Sequence, residues 1–275
     1  MRAAAQTVHA LPLSSKFLPR QFGAAAKRRQ FRICDVPLHR DHAAIRAGDD
    51  FFLGHVAHRV CDDSCDFLRR LGYGGFKVIS IDYRMPPDHP YPAAMDDAMA
   101  VWREAVKLAD PRNIAIFGTS TGGGMTLAMI LRAKQEGLPL PAAIAPGTPW
   151  SDLTETGDTY KTNEWLDYVL VSYNGYLRHA AELYAHGHDL KDPQLSPIYG
   201  DFSGFPPAIL TSGTRDLFLS LTVLTHRKLR RAGVEAELQV FEGMSHAEYN
   251  FNPFAPETKE AFTEIAHFFD KHLGK

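Results

Sequence analysis

Ile114-Ala115-Ile116-Phe117-Gly118-Thr119-Ser120-Thr121-Gly122-Gly123-Gly124 is the stretch on which the reading of this chain turns. Its four leading apolar residues read as a buried strand. Residues 118–122 spell G-x-S-x-G, and 125–136 read as a helix. A serine between glycines at a sharp strand-to-helix turn is a nucleophile elbow. Small residues let strand and helix approach closely, the turn lifts the Ser120 hydroxyl out of the sheet, and the helix start offers backbone N–H groups to a developing negative charge. A glycine-rich turn whose serine caps the helix is the plainer alternative, so the rest of the chain has to decide.

The chain of 275 residues is long enough for one large α/β domain. Hydrophobic residues at 45% and charged residues at 23% are ordinary globular composition. A net charge of -2 gives no reason to invoke nucleic acid or an anionic membrane. No apolar run reaches the length of a membrane span. Cys34, Cys61 and Cys65 are too few and odd in number for a disulfide scaffold, which fits a reducing, cytoplasmic setting.

Outward from the elbow, strands and helices alternate. Upstream, 76–82 is a strand by its β-branched content, 83–92 is a connection with four prolines, and 93–107 is a helix with Met95, Ala98, Met99 and Trp102 on its apolar side. Earlier still, 51–54 leads into a helical pattern with Val60, Phe67 and Leu68 on one face, closed by the glycines of 72–75. Downstream, a strand begins at 141–144, 206–211 is another, 221–232 is a helix, 235–241 alternates with Ala236, Leu238 and Val240 on one side, and 258–273 closes the chain as a helix with Phe262, Ile265, Phe268 and Phe269 inward. The stretch 160–185 carries Trp165, Tyr168, Tyr173, Tyr176 and Tyr184 without a strand signal. It is expected to be a helical cap, inserted over about 158–195, with some of its aromatics lining a pocket.

Alternation of this kind predicts a mostly parallel sheet with helices on both faces, and its functional site at the carboxyl ends of the strands. Ser120, Asp216 and His246 each fall just after a strand, in the order nucleophile, acid, histidine. Three placements that agree outweigh the G-x-S-x-G alone. Asp216 as a mere turn residue and His246 as a surface histidine are the bland readings that this agreement argues against.

These residues permit a family resemblance. The chain resembles the hormone-sensitive-lipase group of α/β-hydrolase esterases. Asp82-Tyr83-Arg84-Met85-Pro86-Pro87-Asp88-His89-Pro90-Tyr91-Pro92-Ala93-Ala94 is similar to that group's D-Y-R-x-x-P-E-H-P-F-P-A-A. Gly118 to Gly123 is similar to its G-D-S-A-G-G, and Pro149-Trp150-Ser151-Asp152-Leu153, Gly213-Thr214-Arg215-Asp216 and Gly243-Met244-Ser245-His246 fit as well. The likeness runs from Phe51 to the C-terminus and is nearest to bacterial carboxylesterases and lactone hydrolases. It implies an α/β-hydrolase fold over 51–275, a small-molecule ester or lactone substrate, a serine acyl-enzyme, no metal and no organic cofactor. It admits a homodimer.

One part departs from the group. The resemblance implies an H-G-G-G oxyanion motif just before Phe51, where Ala47-Gly48-Asp49-Asp50 stands. The Thr121 N–H is one expected oxyanion donor. Gly48 is the position for the other, beside two carboxylates that would repel an oxyanion. A catalytically idle hydrolase fold that keeps its pocket is therefore the rival reading. Residues 1–34 carry seven Lys or Arg and no acidic residue, which reads as a loosely attached or disordered arm, with a transit peptide as the alternative. The first 50 residues look foreign to the rest, with the expected N-terminal strands missing, a pattern that a frameshift or mis-assigned start would give. His55, His58, Cys61 and Cys65 share a face if placed on one helix, but a tetrahedral metal site rarely fits on a single helix.

Overall fold

The computed structural model describes residues 31–35, 51–55, 77–81, 83–252 and 254–274. Among them, seven strands form one sheet: β1 (Phe31–Asp35), β2 (Phe51–His55), β3 (Lys77–Ile81), β4 (Ile114–Thr119), β5 (Ala143–Gly147), β6 (Ala208–Gly213) and β7 (Ala236–Phe241), in the order β1-β3-β2-β4-β5-β6-β7. All neighbours are parallel except β1, which runs antiparallel to β3 at one edge. Four residues of the expected N-terminal arm, 31–34, thus belong to an edge strand. The other residues of 1–50 lie outside the described residues, as does the helical pattern expected between 56 and 75.

Burial follows strand position. Every residue of β4, β5 and β6 is buried, as expected of central strands covered on both faces. Edge strand β7 alternates, but not quite as its sequence predicts: Ala236 is buried, Val240 is exposed at the strand's end, and Gln239 is buried on the opposite face. The reason is polar. Gln239 Nε2 donates to Thr211 Oγ1 at 2.7 Å and to the Ala261 carbonyl at 3.3 Å, so it joins β6 to the closing helix.

Helices cover both faces. Helices α1 (Ala93–Leu108), α2 (Thr121–Gln135) and the downstream α5 (Leu219–Arg231) lie on one side. Met99, Trp102, Leu127, Ile130 and Leu229 pack there against Ile79, Ile116, Ile144 and Leu210. On the other side α6 (Pro256–His272) lays Phe262, Ile265, Phe268 and Phe269 against Ala115, Phe117, Ala145 and Ile209. Each large side chain buried in this way contributes about 1.5–3 kcal/mol.

Helix α2 starts four residues earlier than its apolar pattern suggests. Gly122, Gly123 and Gly124 are poor helix formers, yet packing requires them in the first turn. A Cβ on Gly123 would stand 2.8 Å from the Gly147 carbonyl oxygen, and one on Gly124 2.4 Å from that of Trp150. The proline-rich connection is anchored by Arg84. Its backbone N–H and forked guanidinium hold the buried Asp97 carboxylate of α1, at 2.9 Å for the backbone contact.

Between β5 and β6 the chain makes α3 (Thr159–Thr162), an irregular turn Tyr173–Leu177 and α4 (Arg178–Ala185). Tyr160, Tyr173, Leu177 and Ala181 pack with Trp150, Leu217, Phe218 and Leu221 in a third apolar cluster. This segment covers the carboxyl edge of the sheet.

Candidate active site

Ser120 sits at φ 62° and ψ -120° between β4 and α2. Positive φ is strained for a residue with a Cβ and persists only where its surroundings over-determine it. Here they do. The Ser120 N–H donates to the Gly147 carbonyl at 3.0 Å, and the Ser120 carbonyl accepts from Gly124 at 3.1 Å and Trp150 at 3.0 Å. Gly118 is required by close approach. A Cβ there would lie 2.2 Å from the Gly122 oxygen and 2.4 Å from its carbonyl carbon. Backbone cannot swing aside as a side chain can, so Gly118→Ala must displace the first turn of α2. Its expected stability loss is about 1–3 kcal/mol. An elbow shift near 1 Å lowers turnover by about 100-fold. Thermal melts and steady-state rates on the same preparation check both numbers.

Three loops at the carboxyl edge bring the catalytic candidates together. His246 Nε2 lies 2.8 Å from Ser120 Oγ, and His246 Nδ1 lies 3.0 Å from Asp216 Oδ1. Asp216 is fully buried and His246 nearly so. The acid's remaining acceptor sites are filled: Oδ1 also takes the Phe218 N–H at 2.8 Å, and Oδ2 takes the Ser212 hydroxyl at 2.8 Å and the Thr148 hydroxyl. Thr148 Oγ1 also lies 3.0 Å from His246 Nδ1. Because the carboxylate accepts only, Nδ1 carries the ring proton and Nε2 is left to accept from Ser120. Phe218 meets the imidazole edge-on with centroids 4.8 Å apart. Thr148 and Ser212 were not singled out from sequence. Their one signal is position, at the carboxyl ends of β5 and β6.

Residues 52–250 match the model of a family described as "alpha/beta hydrolase fold". The chain belongs to this family. Among solved structures, this hydrolase is similar to an esterase named E25, with 39% identity and a TM-score of 0.80 over 88% of this chain and 75% of that one. It is similar as well to an esterase of the bacterial hormone-sensitive lipase family, with 30% identity and a TM-score of 0.77 over 89% of this chain and 85% of that one. An esterase of Acinetobacter venetianus is 30% identical over 223 residues, 80% of this chain and 72% of the relative. The resemblance read from the motifs is borne out.

In this α/β hydrolase, Thr121 is the first residue of α2, so its N–H is one of the four at the helix start without an intrahelical acceptor. Tyr83 is hydrogen-bonded to Thr121, and burial pushes its phenol up to about 12, which keeps it neutral. Thr119, where the group has aspartate, has its hydroxyl 3.1 Å from that of buried Tyr249. Tyr249 fits because Gly147 has no side chain: a Cβ there would be 1.9 Å from the phenol oxygen.

The other expected donor is Gly48. Gly48 lies outside the described residues. Phe51 pairs with Ile114 at the start of β4, while it is His55 that pairs with Gly118 near the elbow. Strand β2 corrects the one-helix reading of the His/Cys cluster. His55 ends β2, and His58, Cys61 and Cys65 lie outside the described residues. Among the described residues no group of three or more His, Cys, Asp or Glu is placed to hold a metal, and no helix is long and apolar enough to cross a membrane.

Above Ser120 is a cavity of about 880 Å³, lined chiefly by apolar side chains that include Met95, Met125, Leu153, Leu170 and Leu177. The inserted segment supplies part of this lining, as expected of a cap. Some of its aromatics line the cavity and others do not. Tyr176 and Tyr184 reach the cavity, Tyr160 and Tyr173 are core, and Trp165 and Tyr168 are exposed.

Proposed function

We propose that the chain is a carboxylic ester hydrolase working through an acyl-enzyme on Ser120. The observation that carries this reading is the closed chain of hydrogen bonds from Ser120 through His246 to Asp216. His246 Nε2 takes the hydroxyl proton as Ser120 Oγ attacks the ester carbonyl carbon. The tetrahedral oxyanion then lies at the start of α2, where the Thr121 N–H points at developing charge. Collapse expels the alcohol, which leaves with the proton held on Nε2. Water, deprotonated by the same nitrogen, attacks the acyl-enzyme, and the acid and free Ser120 are released. Asp216 holds the imidazole in the tautomer this requires and offsets its charge when protonated.

The apolar cavity suits an uncharged acyl or alkyl group, and the esterases among the relatives agree with a small-molecule ester. A lactone is an ester whose alcohol stays tethered, and the same attack would open it. The esterases among the relatives favour turnover over the rival reading of a hydrolase fold that has lost it. A direct test is to mix the protein with p-nitrophenyl butyrate, quench in acid and locate the adduct by peptide mass spectrometry. The expected result is a butyryl group on the peptide containing Ser120. Nitrophenol release with the butyryl group on another side chain would overturn the proposal.

A further inference from the structure

We infer that Asn163 and Asp167, in the turn that opens the cap, clasp the acid loop to the histidine loop, and that Asp167 is a positioning residue for the triad. The inference rests on the proposed hydrolase reading for its rate effects, but not for its geometry. Asp167 is 0% exposed, far from the usual surface habit of aspartate. Its Oδ2 accepts from the N–H of Leu217, the residue next to Asp216, at 2.8 Å. Its Oδ1 accepts from the His246 N–H at 3.4 Å and from Val169 and Leu170 in its own turn at 2.9 and 3.2 Å. One carboxylate therefore touches the backbones of both loops that carry the charge-relay partners. Asn163, one helical turn earlier, completes the grip by donating Nδ2 to the Asp216 carbonyl at 2.9 Å and the Thr214 carbonyl at 3.1 Å.

The backbone around the clasp is held against its own preferences. Trp165 and Val171 flank Asp167 at φ 66° and 64°, the left-handed region that a β-branched residue enters only under constraint. The Trp165 N–H donates to the Val171 carbonyl at 2.8 Å and closes the turn. The turn does no chemistry, and Trp165 itself is 76% exposed. What it achieves is to put a two-oxygen acceptor between Leu217 and His246. The His246–Asp216 contact joins residues from two separate strand ends, and hydrogen bonds to a carboxylate are the stronger kind with which to fix such a separation.

Asp167→Asn tests this because it keeps the size and removes one acceptor. Its Nδ2 must face either the Leu217 N–H or the N–H groups of His246, Val169 and Leu170. Two donors then meet head-on, and one loop is released. With p-nitrophenyl butyrate, kcat is expected to fall about 10- to 100-fold with KM changed less than about threefold, since a displacement of the reacting groups acts on the chemical step. Asn163→Ala is expected to do the same to a smaller degree, and it serves if Asp167→Asn does not fold. A readout independent of turnover is the downfield proton resonance of His246 Nδ1–H, assigned by its loss in His246→Gln. It is expected to be sharp in the unaltered protein and broadened or lost in the folded clasp variants. A folded Asp167→Asn that keeps this resonance, or keeps kcat while only KM rises, overturns the inference. If the unaltered protein shows no Ser120-dependent turnover, the proposed function fails, and the resonance alone decides the clasp.

Discussion

Ser120→Ala lowers kcat for p-nitrophenyl ester hydrolysis by about 10⁶-fold, and His246→Ala lowers it about as far. The two changes together cost no more than either alone, because nucleophile and base act as one unit. Without Oγ, His246 has no proton to take. Without Nε2, the Ser120 hydroxyl 2.8 Å away stays a weak nucleophile. A residual rate of about 10³- to 10⁴-fold over water remains, supplied by the start of α2 and the apolar cavity. The variant should fold as before. Alanine keeps the Cβ that already occupies this strained φ, and the backbone hydrogen bonds to Gly147, Gly124 and Trp150 do not involve Oγ. Rates normalised to folded protein, with the melting temperature recorded beside them, check both halves. A Ser120→Ala protein within tenfold of the unaltered rate would move the nucleophile elsewhere.

The elbow was legible because one short run states local structure and chemistry at once. Apolar residues, a glycine-flanked serine and a helix must be joined in that way, and β4 and α2 are. The triad was legible through topology. A parallel sheet sends every strand's C-terminal loop to one edge, so Asp216 and His246 could be placed beside Ser120 without knowing a contact. Contacts between distant hydroxyls and backbone groups leave no such trace. Thr148 meets Asp216 across 68 residues, and Asp167 meets Leu217 and His246 across 50 and 79. Neither has a period or a motif, since each is defined by what the third dimension brings to it. The start of α2 was misplaced because propensity argues against a triple glycine in a helix, whereas close contact with Gly147 and Trp150 demands it. Which of the cap's aromatics face the pocket was not legible for a related reason. An irregular turn has no periodic face, so composition alone does not say which rings turn inward.

Asp216→Asn lowers kcat/KM by about 10³- to 10⁴-fold, the upper end being the loss when the histidine is left in the wrong tautomer. The carboxylate receives four donors: His246 Nδ1–H, the Phe218 N–H, and the hydroxyls of Ser212 and Thr148. An amide has one acceptor oxygen and must choose. The hydroxyls can turn round and accept from an NH₂ group, but the Phe218 N–H cannot. It therefore draws the amide oxygen to the Oδ1 position, 3.0 Å from His246 Nδ1. In that orientation the tautomer survives and only the charge is lost, which places the effect toward the lower end. If the NH₂ faces Nδ1 instead, the ring proton moves to Nε2, the Ser120 hydroxyl loses its acceptor, and the full loss follows. A neutron structure of the variant, which distinguishes amide oxygen from nitrogen, shows which of the two faces the Phe218 N–H, and the rate should match it. Less than a tenfold loss in either orientation would mean that His246 is oriented by Thr148 and Phe218 rather than by Asp216.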